Sequence, residues 1–287
     1  MPIPPPSPVD LAALGAPDDA APVAFNRDHA HPRDARLAFY PGPHVYLADG
    51  KTPLRSVSEV IAALFAPFDA ASAARRKADL EGLDPQVFLD RWAHAGAQAR
   101  DAGTLLHAQI ERDLLGLPVA ATAPFHFASP TLVDDAPLDV SAELALYARF
   151  RAETPLVPYR TEWRIFDEDL RLAGTVDLLS LDPGGRFVIY DWKRSRKLVD
   201  DAGRPVTANP WQCASPPISF LPDTPFNHYL IQQNLYAYIL ATRYDIHVAA
   251  LHLVVLHPAY RAPLVLRVPF HHTLVRNLAE ALSAPAP

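Results

Sequence analysis

Three side chains in one short stretch have the types that metal-assisted hydrolysis needs. Asp177 closes the run Gly174-Thr175-Val176-Asp177, and Asp191-Trp192-Lys193 follows it. In an extended strand, residues i and i+2 share a face. Asp191 and Lys193 therefore point the same way, beside Phe187 and Ile189, while Val188, Tyr190 and Trp192 line the other face. A strand that is apolar on both faces belongs in the middle of a sheet. Charges at its end are costly to bury unless they are paired or hold a cation. A hairpin between the two runs brings Asp177 towards Asp191. Two carboxylates converging from adjacent strands make a hard oxygen site suited to Mg2+ or Mn2+. A neighbouring lysine can orient the attacking water and stabilise charge on a phosphate. The plainer alternative is a buried ion pair of Asp177 with Lys193, and Asp191 capping a turn.

Two further groups carry weaker signals. Gly103-Thr104-Leu105-Leu106-His107 is followed four residues on by Glu111, and helical spacing puts His107 and Glu111 on one face. His107 could add a nitrogen ligand, or be an ordinary helix residue; Glu111 reads as solvated or paired with a base. Gln232 and Tyr236 also share a face at i, i+4, with Gln233 the competing choice if the helix is rotated.

These residues need elements to hold them. The pattern predicts strands over 161–166, 173–181 and 186–193. Asp167-Glu168-Asp169 and Asp182-Pro183-Gly184-Gly185 separate them, which makes an antiparallel meander. Before them, a β-like stretch over 37–54 turns at Asp49-Gly50, and Ser56 or Ser58 caps a helix through Phe65. Helices follow over about 70–80, 85–115 and 140–153, with a loop over 119–137. After the meander, 199–225 reads as a long loop with six prolines. Thr224-Pro225 then looks like an N-cap and first helical position, opening a helix through Thr242. Strands over 247–256 and 264–268 and a short helix close the chain. Helices, three strands, a helix and more strands make an α/β or α+β core with a mixed sheet.

Composition narrows the class. The 287 residues are 49% hydrophobic, enough for a sizeable core, and no apolar run reaches the roughly 18 residues of a membrane helix. A net charge of −6 argues against a protein that coats DNA, though not against an enzyme that grips it with a local patch. One cysteine, Cys213, excludes an intrachain disulfide framework and an iron–sulfur cluster held by four thiolates, and points to a reducing, intracellular setting. Residues 1–34 hold eight of the 31 prolines and read as a disordered tail, leaving 35–287 as one domain.

Taken in order, His107, Gly174 to Asp177, Asp191 to Lys193, and Gln232 to Tyr236 resemble the RecB-like branch of the PD-(D/E)XK nuclease superfamily, over about residues 95–245. Within it, Gly103-Thr104-Leu105-Leu106-His107-Ala108-Gln109-Ile110-Glu111 is similar to the mitochondrial genome maintenance exonucleases and related viral and phage nucleases. Val176 departs from the branch, where proline is common. The resemblance implies a restriction-endonuclease-like α/β core, a central mixed sheet flanked by helices, with helical amino-terminal additions. It implies that His107, Asp177, Asp191 and the Trp192 carbonyl hold Mg2+ or Mn2+, without an iron–sulfur cluster, and that Lys193 positions the water. Gln232 and Tyr236 would contact the DNA backbone or brace the site, and Glu162 matches a position where relatives often carry an acid. Arg194, in the run Lys193-Arg194-Ser195-Arg196-Lys197, could meet phosphates; Arg75-Arg76-Lys77 reads better as a solvated helix face. Trp211, Phe220 and Phe226 could stack on unpaired bases or pack their own loop. The activity implied is that of a DNA exonuclease on single strands or ends, in replication, repair or recombination. The alternatives are an inactive nucleic-acid- or partner-binding protein on the same fold and a sequence-specific endonuclease, for which no separate recognition domain is visible.

Overall fold

The computed structural model describes Ile3, Val9, Asp10, Leu14 and residues 24–284. After a short helix α1 (Ala24–Asp28) and a 3-10 turn (Asp34–Arg36) come β1 (Leu37–Tyr40), β2 (Val45–Ala48) and β3 (Thr52–Ser56). Asp49 and Gly50 join β2 to β3, both left-handed at φ 52° and 68°, the geometry of a tight hairpin turn. Ser56, not Ser58, caps α2 (Val57–Leu64). Its hydroxyl accepts from the Glu59 amide at 3.1 Å, and the Glu59 carboxylate accepts from the Ser56 amide at 2.7 Å. Helices α3 (Ala70–Glu81) and α4 (Pro85–Leu114) follow, each opened by an aspartate, Asp69 or Asp84. The predicted loop over 119–137 contains short two-residue strands, β4 (Thr122–Ala123), β5 (Phe127–Ala128) and β6 (Val133–Asp134), with β7 (Leu138–Asp139) just after it. They pair as two small ribbons, β4 with β7 and β5 with β6, too brief to leave a periodic signal.

Then come α5 (Ser141–Glu153), β8 (Val157–Asp167), β9 (Leu172–Leu181), β10 (Phe187–Lys193), α6 (Pro225–Arg243), β11 (Val248–Val255), β12 (Leu264–Val268) and α7 (His272–Ser283). The large sheet runs β1-β2-β3-β9-β10-β11-β12, with β8 against β9. The meander β8-β9-β10 is antiparallel, as the turn residues predict. β10 is central, between β9 and a parallel β11 reached through α6. This is a mixed sheet flanked by helices, the restriction-endonuclease-like α/β class. Helices α2, α6 and α7 pack on one face over Val176, Leu179, Ile189, Leu251 and Leu253. On the other, α4 and α5 pack over Leu178, Trp192, Val254 and Leu256. Trp192 is buried edge-on against Tyr147 and Phe150, with ring centres 5.6 and 5.7 Å away. Truncating a buried aromatic of this kind costs about 3–5 kcal/mol, so the end of β10 is firmly held.

The tail reading needs correction at its end. Most of residues 1–23 lie outside the described residues, but 24–34 fold along β8, which among the described residues has no strand on its outer edge. Asn26 bonds the Thr161 backbone, Arg33 pairs with Glu168, and Asp34 with Arg160. An open strand edge is a row of unmet hydrogen-bond groups, and these polar side chains cover it without any hydrophobic periodicity to betray them.

Candidate metal centre

The site begins where two strands part. β10 pairs with β9 only from Phe187 to Tyr190, opposite Leu181 to Leu178. Beyond Tyr190, β10 follows β11 alone, and β3 takes the same edge of β9 at Leu172 and Ala173. A notch opens between. The Trp192 amide, turned from the ladder, donates to Asp177 Oδ2 at 2.9 Å. The Asp177 carboxylate thus replaces a missing strand carbonyl and is itself fixed.

Opposite Asp177 in the β8 register stands Glu162, between the pairs Thr161–Leu178 and Trp163–Val176. Its φ is +45°. A non-glycine residue held there stores on the order of 1–3 kcal/mol of strain. The alternation of β9 breaks at the same level: Val176 packs under α6, while Leu178, two residues on, packs under α4 with Trp192. A regular strand would keep both on one face. The switch leaves Glu162 and Asp177 free to face α4.

From α4 comes His107. Its Nε2 lies 2.8 Å from the Trp192 carbonyl, which can only accept, so Nε2 carries the hydrogen. Its Nδ1 faces Asp177 Oδ2 at 3.4 Å and Glu162 Oε1 at 3.9 Å. One atom from each of His107, Glu162 and Asp177 lies within 4.8 Å of the others. Burial, then Asp177, Glu111 and Asp191, hold the Glu162 carboxyl well above the usual carboxylate range, against Arg164. Burial and then Asp177 push Asp191 up to about 6, although Lys193 opposes this. Crowded acids beside an imidazole whose second nitrogen is tied to a carbonyl form a donor set that could hold a divalent cation.

Lys193 lies on the α6 side, ion-paired with Asp191 and 4.3 Å from the centre of the Tyr229 ring. Burial works against its charge, but Asp191 and then Asp177 outweigh it, so the ammonium is held above its ordinary range. The ion pair of Asp177 with Lys193, the plainer alternative in the sequence, is thus replaced by one of Lys193 with Asp191.

The remaining sequence-predicted residues divide. Tyr236 is buried, and its hydroxyl accepts from Gln232 Nε2 at 3.1 Å; the ring lies against Gly174, where a Cβ would meet Cε1 at 2.4 Å. Gln232 and Tyr236 therefore brace the strand that carries Asp177. Gln233, the competing choice, is fully buried, and its amide has no hydrogen-bond partner among the described residues. Arg194 does not face the cluster: its Nε donates to the buried Glu143 of α5 at 2.6 Å. The Trp192 carbonyl, expected as a ligand, orients His107 instead. Asp191 is outside the tight trio, and Glu162, expected only as a supporting acid, is inside it. Of the three loop aromatics, Phe226 is core, Phe220 stacks on His271 with ring centres 5.5 Å apart, and Trp211 is 89% exposed. Arg75, Arg76 and Lys77 are exposed on α3. The cluster opens into a groove of about 1330 Å³, walled by Thr104, His107 and Glu111 of α4 on one side and by Arg36, Phe39 and Tyr46 on the other.

Residues 77–258 match the family model of the PD-(D/E)XK nuclease superfamily. The chain belongs to that superfamily. The match carries a nuclease domain over α4, the meander, α6 and β11, so every residue of the cluster lies within it. No curated protein matches the chain by sequence. A solved structure described as "Crystal structure of SSO0001" aligns over 79% of this chain and 74% of that one, at 14% identity and a TM-score of 0.31, too low to carry an argument. No helix among the described residues is long and apolar enough to cross a membrane.

Proposed function

We propose that the chain is a divalent-metal-dependent DNA exonuclease of the RecB-like branch, acting on single strands or DNA ends, with the motif pattern of the mitochondrial genome maintenance exonucleases and their viral and phage relatives. The observation that carries this is the meeting of His107, Glu162 and Asp177 at the strand notch, with the charged Lys193 one strand residue beyond Trp192. His107 Nδ1, Glu162 and Asp177 would hold Mg2+ or Mn2+, with Asp191 beside them. A bound divalent ion would polarise the scissile phosphate and lower the pKa of the attacking water. Asp177 keeps its place by accepting from the Trp192 amide, and His107 by donating to the Trp192 carbonyl. Lys193, kept charged by Asp191, orients the water and offsets charge gathering on the phosphate. Asp191, raised by its burial and by Asp177 yet paired with Lys193, supplies the carboxylate that fixes the ammonium beside the cluster. The groove supplies the path for the strand, with Arg36 and Arg112 on its walls.

The test is digestion of linear, nicked-circular and closed-circular DNA, and of end-labelled single strands, with Mg2+ or Mn2+. The expected result is shortening of linear DNA and single strands from an end while closed circles stay intact. Cleaved circles would make it an endonuclease. Binding without cleavage would make it a binding protein on a nuclease fold.

A further inference from the structure

The residues that hold the cluster in place extend beyond the family-matched 77–258. Asn26 is buried, and its amide treats Thr161 as a neighbouring strand would: Oδ1 accepts from the Thr161 amide and Nδ2 donates to the Thr161 carbonyl, both at 3.0 Å. The Thr161 hydroxyl in turn donates to the Asp177 carbonyl at 2.9 Å. On either side, Arg160 bonds the His29 carbonyl and Asp34 Oδ2 at 2.8 Å each, and the Trp163 indole donates to Asp34 Oδ1 at 2.9 Å. The segment 26–34 therefore grips β8 at 160, 161 and 163, the residues that bracket Glu162. Glu162 is the residue held at φ +45°. A strained backbone persists only where its surroundings over-determine it, and here the surroundings are this arm.

We propose that the amino-terminal arm is a working part of the metal centre, and that Asn26 is a positioning residue that acts through Thr161 on Glu162 and Asp177. The inference rests on the proposed metal-dependent reading of the site. It assigns a role to a segment that the superfamily match does not include. Without the Asn26 clamp, the backbone at 161–162 can relax to an ordinary extended conformation. That turns the Glu162 carboxylate away from His107 and Asp177 and loosens the Asp177 backbone.

The experiment measures Mn2+ binding to the full chain by electron paramagnetic resonance, alongside thermal melting and the Mn2+ dependence of DNA digestion. Variants are Asn26→Ala, Thr161→Val, Thr161→Ser, and Glu168→Gln, which loosens the arm at its far end. Bracing groups behind metal ligands set affinity by about 10–100-fold. The Mn2+ half-saturation should rise about tenfold or more in Asn26→Ala and Thr161→Val, the pair should be non-additive, and Thr161→Ser should restore wild-type binding. Glu168→Gln should lower the melting temperature without moving the Mn2+ curve. The inference is overturned if Asn26→Ala and Thr161→Val melt earlier yet bind Mn2+ within twofold of wild type. If Asn26→Ala does not fold, the Thr161 pair decides alone. A wild-type chain that binds no Mn2+ would instead remove the metal-dependent reading, and this inference with it.

Discussion

Adding one methyl group at Gly174 tests how the site is braced. An ideal Cβ there would lie 2.4 Å from Tyr236 Cε1, 2.9 Å from its hydroxyl oxygen and 3.0 Å from Cζ. Carbon pairs rest at about 3.5–4.0 Å, so Tyr236 must retreat by about 1 Å. It cannot do so freely, because it is 4% exposed on the inner face of α6 and packed within the core. Overpacking of this kind costs about 1–3 kcal/mol. The hydrogen bond from Gln232 would be lost as well, adding about 1 kcal/mol. Gly174→Ala should therefore destabilise the protein by about 2–4 kcal/mol, which for a domain of this size lowers the melting temperature by roughly 5–15 °C. Thermal or urea melting checks this. A cycle identifies the cause: Tyr236→Phe leaves Cε1 in place and should not relieve the clash. In a Tyr236→Ala background, by contrast, the glycine substitution should cost less than about 1 kcal/mol, because contacting sites are non-additive. A Gly174→Ala protein within about 0.5 kcal/mol of wild type, or one equally destabilised in both backgrounds, would refute the reasoning.

Three other outcomes follow from the charges. Glu162→Gln should raise the melting temperature of the metal-free protein, since burial and Asp177 disfavour that carboxylate. It should also erase the gain that Mn2+ gives wild type, about 2.7 kcal/mol at a hundredfold excess over Kd. Because the folded protein raises this carboxyl, the apo protein should lose stability as pH climbs above the ordinary carboxylate range, and the variant should lose less. Asp191→Ala strands the buried Lys193 ammonium and should cost about 3–5 kcal/mol in urea melts, most of it recovered by adding Lys193→Met. Glu168 is pushed up by partial burial, but its bonds to Arg33 and Arg36 win and bring it down to about 2 from 4.5. A lowered carboxyl stabilises the fold above its unfolded pKa and loses that contribution as pH falls through the folded one. With solvent screening, the difference between wild type and Glu168→Gln should be about 1–2 kcal/mol at pH 7, shrink between about pH 4.5 and 2, and vanish below.

The sheet and its helices were legible because they obey local rules. Turn residues at 167–169 and 182–185 marked the meander, and the two apolar faces of β10 marked its central place. Thr224-Pro225 marked the start of α6, where the Thr224 hydroxyl does accept from the Asn227 amide at 3.2 Å. The i+2 rule put Asp191 and Lys193 together, and their ion pair is its consequence. What was not legible depends on long-range geometry. Glu162 enters the cluster only because β8 pairs in a particular register with β9 and its backbone turns left-handed, and neither shows in Thr161-Glu162-Trp163. Arg194 reads as available for phosphate because nothing in its own segment announces Glu143, 51 residues earlier. The arm around Asn26 read as tail because polar side chains covering a strand edge carry no period.

The proposed function requires Lys193 to work beside a hydrolytic metal site. The most direct measurement is degradation of end-labelled single-stranded DNA with Mg2+ or Mn2+ by wild type and Lys193→Ala, each shown by melting to be folded. Wild type should shorten the strand and stop when EDTA removes the metal, and Lys193→Ala should be slower by about a hundredfold or more, the scale of one lost electrostatic group. Equal digestion by both proteins would place the chemistry elsewhere.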